Sequence, residues 1–456
     1  MNIRCSALQC LFLCLLQCVI NASFAATLLD LPAVELAPAE EVDLGTSHAH
    51  PLYRGANGTL DLNLEVTASP FYSSFDYAGA DETSVKWIES YFRGGLSGTM
   101  RGLGGTVYGG VGIISSKLFG DGDAAGTSTG HEYRTDFDSA YAGWKNNWLD
   151  LSAGRQKYLM GDAFLIAGDQ FNFGERIGNG FNRGGLYYLA GRASFANTGI
   201  VRVLPLKGLS VEGFHLESNN NGQGSPHLDG VNSEYSPAPG NTLGAAWFQV
   251  NNVDTERAGG LFALRKDLDV YNLRGTTNLG LTPLSIAGGY AAERSSDVDA
   301  YAWYASIDYQ FADVPLAPQI GYRYSRFSGD DPSTSKSETF DPLFYGSTLG
   351  NPAWVQGEVA GNFAGPFNSN ARVSRISLQT IINDKLAISA MAYRFDSERD
   401  SEHLADELDL YFQTAPTPNL LFIPIIGLWK PRQGAEAVYG VTDTQTFVAF
   451  VTSFTY

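Results

Sequence analysis

Apolar and polar residues alternate along most of this chain with a period of two, which is the pattern of β-strands that have two different faces. Residues 442–456 follow it, because one parity is aromatic and apolar while the other includes Thr455 and Ser453. The apolar parity consists of Val448, Phe450, Phe454 and Tyr456. An apolar face of this kind is typical of a strand that faces lipid.

The same alternation recurs from residue 59 onward at the spacing of β-hairpins. For example, Ile88 and Phe92 oppose Glu89 and Arg93. Nineteen segments fit, but single-chain bacterial barrels have an even number of strands, so we expect about 18, with the 198–205 segment continuing the one before it. The segments are 59–68, 86–98, 104–116, 132–144, 148–158, 184–194, 198–205, 208–217, 242–250, 258–266, 268–277, 283–293, 299–311, 317–327, 369–380, 385–395, 404–414, 418–429 and 442–456.

Composition favours a membrane barrel over a soluble sandwich, which would show the same period. The chain has 51 Gly, 23 Tyr and 27 Phe, and only 17% of its residues are charged. These proportions suit twisted strands, tight turns and aromatic girdles. No apolar run after residue 25 approaches the roughly twenty residues that a transmembrane helix needs. The sequence therefore predicts an all-β protein, a transmembrane antiparallel β-barrel of about 18 strands.

We expect this barrel to be integral to the outer membrane of a Gram-negative cell and to contact lipid and lipopolysaccharide. A last strand that ends on an aromatic residue resembles the C-terminal signal of outer-membrane barrels, which implies that the barrel assembly machinery recognises Tyr456. Residues 1–25 are typical of a secretory signal peptide that is cleaved after Ala25. A lipoprotein signal ending at Cys18 is the alternative.

The cysteine content argues against disulfides and cysteine metal ligands, and the net charge argues against one class of partner. All four cysteines lie within residues 1–25, so the mature chain would have neither disulfides nor cysteine metal ligands. Without the signal peptide and its single basic residue, Arg4, 29 basic and 48 acidic residues remain, a net charge of −19. Such acidity argues against nucleic acid as a partner.

The connections predict how the chain is organised. Residues 26–58 are rich in Pro, Ala and acidic residues and predict a periplasmic segment ahead of a barrel at 59–456. The turns at Arg265-Lys266-Asp267 and Asn383-Asp384 are short and are expected at the periplasmic end. Four long stretches are expected to face outward, namely 118–131, 159–183, 218–240 and 328–368.

The longest of these stretches is open to two interpretations. It carries four aromatic residues, Phe340, Phe344, Tyr345 and Trp354. A loop of this length with such side chains either folds into the pore as a constriction or caps the barrel from outside.

Charged residues of both signs lie on the polar parity of the predicted strands, as expected of a water-filled lumen. The basic pore-lining candidates are Arg93, Arg134, Arg192, Arg202, Arg265, Arg274 and Arg323. The acidic candidates are Glu89, Asp136, Asp138, Asp308, Glu407 and Asp409. An Arg in such a place either binds an anionic solute through its planar fork or pairs with a neighbouring carboxylate and braces the wall.

Several short motifs resemble the alginate-export family of outer-membrane porins. They are Phe340-Asp341-Pro342-Leu343-Phe344, Trp354, Gly357-Glu358, Asn368-Ser369-Asn370, Gly154-Arg155-Gln156 and the segment LADELDLYFQTAPTPNLLF. The resemblance covers residues 130–456 and implies an eighteen-stranded barrel whose Arg-rich lumen passes a polyuronate by diffusion. The acidic candidates above depart from a purely basic lumen.

The loop after residue 120 carries two other motifs. Asp121, Asp123 and Glu132 have the spacing of calcium-loop ligands, so the loop either binds calcium weakly or is a solvated acidic segment. Gly126-Thr127-Ser128-Thr129-Gly130 has the spacing of a nucleophile elbow but lacks the flanking strand and helix that an elbow needs. No other cofactor is expected.

The leading hypothesis is therefore a channel, and not an enzyme, for passive transport of an anionic carbohydrate or organic acid across the outer membrane. A small-solute uptake porin of different selectivity is the alternative on the same scaffold. An outer-membrane hydrolase would need a Ser, a His and an acid on neighbouring strands, which the sequence does not place together. A surface adhesin would need repeats or a large passenger region.

Overall fold

A computed structural model of the chain describes residues 49–77, 83–345, 357, 368–383 and 385–456. The predicted signal peptide, with both of its cleavage alternatives, and Trp354 lie outside the described residues. Within them the protein is almost all sheet, so the all-β prediction is confirmed. No helix in this part of the chain is long and apolar enough to cross a membrane.

Nineteen antiparallel strands form one sheet in the described residues. They are β1 (His50–Gly55), β2 (Gly58–Ser73), β3 (Val85–Gly102), β4 (Gly105–Gly120), β5 (Tyr133–Lys145), β6 (Leu149–Lys157), β7 (Ser194–Leu206), β8 (Leu209–Glu217), β9 (His227–Ala238), β10 (Asn241–Asn252), β11 (Leu268–Thr277), β12 (Leu284–Arg294), β13 (Asp299–Gln310), β14 (Gln319–Phe327), β15 (Ala371–Asn383), β16 (Leu386–Ser397), β17 (His403–Thr417), β18 (Leu420–Pro431) and β19 (Gln445–Thr455). A helix, α1 (Gln433–Tyr439), precedes β19. Short 3-10 turns lie at Asn179–Phe181, Asn221–Gln223 and Gly260–Arg265.

Strands β2–β19 close into an 18-stranded barrel, because each pairs with the next and β19 pairs with β2. Strand β1 pairs with the first residues of β2 and continues the line of β19. The Tyr456 ring stacks on His50 with ring centroids 4.9 Å apart, and Tyr456 N donates to Leu64 O at 2.8 Å. Residues 50–55, which belong to the predicted periplasmic segment 26–58, thus extend the seam as a strand. Closure satisfies the backbone groups that lipid cannot.

The apolar parity faces outward. Val448, Phe450 and Phe454 on β19 are 37–43% exposed, whereas Trp87 and Glu89 on the inward parity of β3 are at most 2% exposed. In a soluble sandwich the apolar parity would form the buried core. The exposed apolar band therefore identifies the barrel as one that lipid surrounds.

The two ends of the barrel differ in the length of their connections. Short turns join β3 to β4, β5 to β6, β7 to β8, β9 to β10 and β15 to β16, which is the pattern of a periplasmic end. The other end carries the long connections, including 121–132, 158–193 and 253–267. Arg265-Lys266-Asp267 lies in the last of these, so its predicted place at the periplasmic end is wrong.

The number of barrel strands equals the predicted number, but three segments differ from the prediction. The 184–194 segment belongs almost entirely to the long connection between β6 and β7. The 258–266 segment contains a 3-10 turn instead of a strand. The predicted outward stretch 218–240 contains strand β9.

Residues 158–193, which we name the first inner segment, fold back into the barrel. They contact inward-facing side chains on distant strands. Leu189 N donates to Glu89 on β3 at 2.8 Å, and Phe164 packs on Phe327 of β14. Leu165 and Ile166 are at most 1% exposed. Residues 159–183 therefore connect strands at the long-loop end, as predicted, but fold into the lumen instead of facing outward.

Residues 328–345, which we name the second inner segment, pair with the first. Phe344 N donates to Leu165 O at 2.9 Å, and Ala167 N donates to Phe344 O at 2.7 Å. Phe340 and Phe344 are at most 2% exposed. Of the two interpretations of this stretch, the described part supports the constriction and not the outward cap.

Gly154 has a backbone conformation that only glycine adopts readily. Its φ is +120°, the register shifts between Gly154 and Gln156, and a Cβ at Gly154 would lie 2.3 Å from Ala140 O. We expect Gly154→Val to destabilise the barrel by about 1–3 kcal/mol, because both strain and a backbone clash oppose it.

The measurement is the fraction of refolded protein that runs as the compact, heat-modifiable form in electrophoresis. Gly213→Ala on β8 is the matched control, because a Cβ there meets nothing within 4 Å. Equal folded fractions for the two variants would contradict the assigned strain at Gly154.

Candidate functional site

The two inner segments narrow the lumen with a core of aromatic side chains. The Phe164 ring lies 5.1 Å from Tyr304 of β13 and 6.4 Å from Phe340 of the second inner segment, centroid to centroid. On the other side of the segment, Phe171 lies 6.3 Å from Phe262 and 6.4 Å from Tyr345. Aromatic packing of this kind joins the connections into one constriction.

Glu89 holds the first inner segment against the wall. It is fully buried, and its carboxylate accepts from Tyr188 N at 3.1 Å and from Leu189 N at 2.8 Å. Trp87 Nε1 donates to the same group at 3.3 Å. Glu89 lies on the inward face as the parity predicted, but it anchors the constriction instead of lining open water.

Arg265 joins three connections at the long-loop end. Its Nε and Nη2 donate to the two carboxylate oxygens of Asp341 at 2.6 and 2.7 Å, and its Nη1 donates to Gln223 at 2.6 Å. Arg265 is 0% exposed and its guanidinium lies over the Phe262 and Phe344 rings. The predicted position on the polar face of a strand is therefore wrong, since this Arg pins the second inner segment in place.

Three of the predicted basic residues brace the barrel wall through ion pairs. Each lies on the inward face and contacts at least one carboxylate of the adjacent strand or of the strand beyond it. Arg202 binds Glu212 through two nitrogens at 2.9 and 2.7 Å. Arg274 pairs with Glu234. Arg93 pairs with Glu65 and lies 3.0 Å from Asp138, so that predicted acid is also engaged in the wall.

Arg134 and Arg192 share Asp136 at the edge of the constriction. Arg134 Nη2 lies 3.1 Å and Arg192 Nη2 lies 2.9 Å from Asp136 Oδ2. Arg192 belongs to the first inner segment, so its predicted place on a strand is wrong. Arg134 also donates to Asn182 O at 2.5 Å, which ties β5 to the same segment.

Arg323 differs from the other predicted basic residues. No carboxylate oxygen of the described residues lies within 4.0 Å of it. Its guanidinium stacks 3.8 Å from the centre of the Tyr304 ring, and its Nε donates to Ser325 Oγ at 3.3 Å. Arg375 on β15 stands directly opposite it in the register. Two arginine residues thus lie side by side on the inward face of β14 and β15.

Two carboxylates lie near this Arg pair. Asp162 of the first inner segment accepts from the Tyr304 hydroxyl. Asp308 on β13 lies over Gly321, where a Cβ would come within 2.2 Å of its Oδ1. The predicted position of Asp308 on the inward face is thus that of a neighbour of the Arg pair. We name Arg323, Arg375 and Tyr304 the lumen Arg site.

Glu407 and Asp409 lie on the inward parity of β17 and are 3% and 0% exposed. A Cβ at Gly357 would lie 2.2 Å from Glu407 Cδ, so residue 357 packs against this carboxylate. Both acids are therefore covered side chains of the wall.

The three predicted calcium ligands accept hydrogen bonds from backbone N–H groups. Glu132 accepts from Thr129 N at 2.6 Å and from Glu175 N at 3.0 Å, and Asp123 accepts from Thr127 N at 3.0 Å. Asp121 instead accepts from Lys86 N at 3.0 Å. The described residues contain no group of three or more His, Cys, Asp or Glu that could hold a metal ion. Weak calcium binding by this loop therefore stays a prediction.

Hydrogen bonding explains this arrangement of carboxylates. Burial raises the pKa of Asp123, whereas at Glu132 the effect of burial is outweighed by backbone N–H donors, which lower its pKa. Ser128 Oγ of the Gly-x-Ser-x-Gly motif accepts from Asp123 N at 2.9 Å. The motif is thus part of a buried loop structure.

Glu132→Ala is expected to destabilise the loop by about 1–3 kcal/mol, because it leaves the partly buried N–H donors of Thr129 and Glu175 without an acceptor. Thermal unfolding with and without calcium measures the effect. We expect the variant to unfold at a lower temperature and calcium to leave the unfolding of both proteins unchanged. Stabilisation of the parent protein, but not of the variant, by micromolar calcium would support calcium binding by this loop.

Sequence reasoning missed several residues of the lumen. Arg375 carries the parity of the inward face of β15, and that parity was the available signal. The Arg183–Asp169 ion pair, at 2.6 Å and at most 5% exposed, lies within the first inner segment, where strand parity gives no information.

Comparison with known proteins supports this architecture. Residues 254–420 match the model of the alginate export family. Solved porins of Pseudomonas aeruginosa have the same fold: OccK7 (OpdD) has a TM-score of 0.56 at 14% identity over 88% of this chain and 99% of its own. OpdK, solved with vanillate, has a TM-score of 0.55 at 10% identity over 87% and 98%. OccD3 (OpdP) has a TM-score of 0.53 at 14% identity over 96% and 99%. The search of curated proteins finds no match.

The matched stretch contains most of the motifs on which the resemblance was based, and the predicted resemblance is confirmed. The fold is that of an integral outer-membrane barrel of the porin type. The chain therefore has the 18-stranded fold of the outer-membrane porins and, over residues 254–420, is similar to the alginate export family.

Proposed function

We propose that this outer-membrane channel passes small anionic solutes, carbohydrate acids or organic acids, by diffusion through a constricted lumen. The observation that carries the proposal is the lumen Arg site. Six of the seven predicted basic residues are engaged with carboxylates of the protein, and Arg323 has no such partner within 4.0 Å among the described residues.

The geometry of Arg323 suits a carboxylate ligand. Stacking on Tyr304 fixes the plane of the guanidinium, and a fixed planar fork binds carboxylates through two parallel hydrogen bonds. Arg375 lies directly opposite Arg323 in the register and places a second positive charge on the same inward face.

The constriction favours small solutes over a polymer. The inner segments contact each other and strands on distant parts of the ring, so they occupy much of the cross-section of the barrel. This supports the small-solute alternative over passage of a whole polyuronate. OpdK, a porin of the same fold, was solved with vanillate, a small aromatic carboxylate.

Flux into proteoliposomes tests the proposal. We expect glucuronate to enter faster than glucose, which has nearly the same size, because only the acid gains from the lumen Arg site. The advantage should disappear in the Arg323→Gln variant, while glucose flux stays the same. Equal flux of the two solutes through the unaltered protein would overturn the proposal.

A further inference from the structure

Asp308 on β13 differs from the paired carboxylates of the lumen wall. Its carboxylate accepts no hydrogen bond from the described residues, and no Arg, Lys or His nitrogen among them lies within 4.0 Å of it. Glu212 and Glu234, by contrast, each pair with an Arg. Asp308 is partly exposed on the inward face, so its carboxylate can be reached from the lumen.

Small side chains flank Asp308 on the neighbouring strands. It stands opposite Ser285 of β12 and Gly321 of β14 in the register. A Cβ at Gly321 would lie 2.2 Å from Asp308 Oδ1, so the carboxylate rests on the glycine backbone. Ala287, the next inward position of β12, is small as well and partly exposed. The wall is therefore open to the lumen around Asp308.

Four more polar side chains lie next to Asp308 on the inward face of the same strands. None of them makes a side-chain hydrogen bond to a described residue, and all are at least partly exposed. Elsewhere on the wall polar side chains pair with one another, for example Asn63 Nδ2 with Ser97 Oγ at 3.0 Å. With Asp308 the four form a patch that we name the polar subsite, and they are Ser285, Ser306, Gln310 and Gln319.

The groups of the polar subsite suit hydroxyls better than an ammonium group. An ionised carboxylate only accepts hydrogen bonds, an amide NH₂ group only donates them, and a serine hydroxyl does both. A solute with several hydroxyls can donate to Asp308 and accept from Gln319 at the same time. An ammonium group could serve Asp308 alone, because it has no acceptor for the amide. A half-buried carboxylate gains from such a donor, since burial without a hydrogen bond is costly.

The polar subsite adjoins the lumen Arg site on the side of the periplasmic end. Arg323 stands one inward position beyond Gly321 on β14, and its charge acts on Asp308 without direct contact. A solute must therefore span several bonds to reach both groups. An acid with a chain of hydroxylated carbons meets this requirement, because one hydroxyl or another lies at the right distance from the carboxylate.

We propose that the polar subsite binds the hydroxyl groups of a polyhydroxylated acid whose carboxylate lies on Arg323. Asp308 is then the residue that selects hydroxylated acids over plain acids of the same charge and length. The inference rests on the proposed function, because it names the class of small anion that the channel would favour.

Glucarate and adipate test this selection, because they are dicarboxylates of the same chain length and charge and only glucarate carries hydroxyls. The measurement is the dwell time of single-channel current blockades by each solute. We expect glucarate to dwell longer in the unaltered channel. In Asp308→Leu, which keeps a branched side chain of similar shape, its dwell time should fall about tenfold, while that of adipate should not fall.

A merely structural role of Asp308 would change the dwell times of both solutes alike, so adipate is the internal control. Gln319→Leu supplies an independent arm and should shorten the dwell time of glucarate alone. The amino acid α-aminoadipate tests the other kind of donor, an ammonium group, and should lose less dwell time than glucarate in Asp308→Leu.

Two results would overturn the proposal. One is an unchanged ratio of glucarate to adipate dwell times in Asp308→Leu, and the other is a larger loss for α-aminoadipate than for glucarate in that variant. Failure of the proposed function would look different, because then neither dicarboxylate would enter the unaltered channel faster than glucose.

Discussion

Replacing Arg265 with Met is expected to loosen the constriction and raise the single-channel conductance. Arg265 is fully buried and binds both carboxylate oxygens of Asp341, so its removal leaves a buried charge without a partner. Breaking a buried pair in this way costs about 3–5 kcal/mol. The barrel strands are held by their own closed backbone pairing, so we expect the second inner segment to be released while the barrel stays folded.

Conductance in planar bilayers and proteolysis of the folded protein within residues 158–193 and 328–345 measure this release. The matched control is Arg265→Met/Asp341→Leu, which removes both charges and is expected to restore low conductance, because replacing both partners of a buried pair by apolar groups is often neutral. Unchanged conductance in the single variant, or no recovery in the double variant, would show that this ion pair does not hold the constriction.

Removing the two charges of the lumen Arg site is expected to shift ion selectivity toward cations. In Arg323→Gln/Arg375→Gln the anion-to-cation permeability ratio should fall at least about threefold. Each charge near the ion path changes the energy of a permeating ion by on the order of 1 kcal/mol. Both side chains lie on the inward face at the same height of β14 and β15. The measurement is the reversal potential in a salt gradient.

A variant with the same change in net charge outside the lumen is the control. Arg294 and Arg394 lie on the outward face near the long-loop end and are 40% and 57% exposed. Arg294→Gln/Arg394→Gln should leave the permeability ratio nearly unchanged. Equal shifts in the two double variants would mean that selectivity follows overall charge and not the lumen Arg site.

Strand faces could be predicted from the sequence because lipid imposes a simple rule on the outer parity. Ile88 and Phe92 are exposed and Glu89 and Arg93 point inward, as the alternation required. The rule failed where another environment replaced lipid. In the 184–194 segment, apolar residues such as Leu189 are buried against the lumen wall, so they imitate a lipid-facing parity.

Strand β9 shows the opposite failure. Its outward residues nearest the long-loop end, His227 and Asp229, are polar, because they lie beyond the apolar band. Only Val231 and Tyr235 carry the apolar signal. The sequence analysis therefore assigned β9 to a loop. In the strand count, this missing strand compensates for one of the two predicted segments that are not strands.

The partners of the lumen residues could not be predicted. The alternation in the sequence gives the face on which a side chain lies, but the neighbour of that side chain depends on the register between strands, which the alternation does not give. Arg202 stands opposite Glu212 and is neutralised, whereas Arg323 stands opposite Ser306 and Arg375. A shift of two residues in register would give each Arg different neighbours on the adjacent strands, although its side chain would still face the lumen. The constriction could not be predicted either, because Arg265 and Asp341 are 76 positions apart in the sequence and meet only in the folded lumen.

The reversal potential of the unaltered channel in a planar bilayer under a potassium chloride gradient tests the central claim most directly. The ion pairs of the wall cancel one another, and burial raises the energy of the charged form of Asp308 beside the lumen Arg site. We therefore expect Arg323 and Arg375 to outweigh the neighbouring carboxylates and predict a preference for chloride that weakens when glucuronate is added. A preference for potassium, or a potential that glucuronate does not change, would contradict passage of small anions through this lumen.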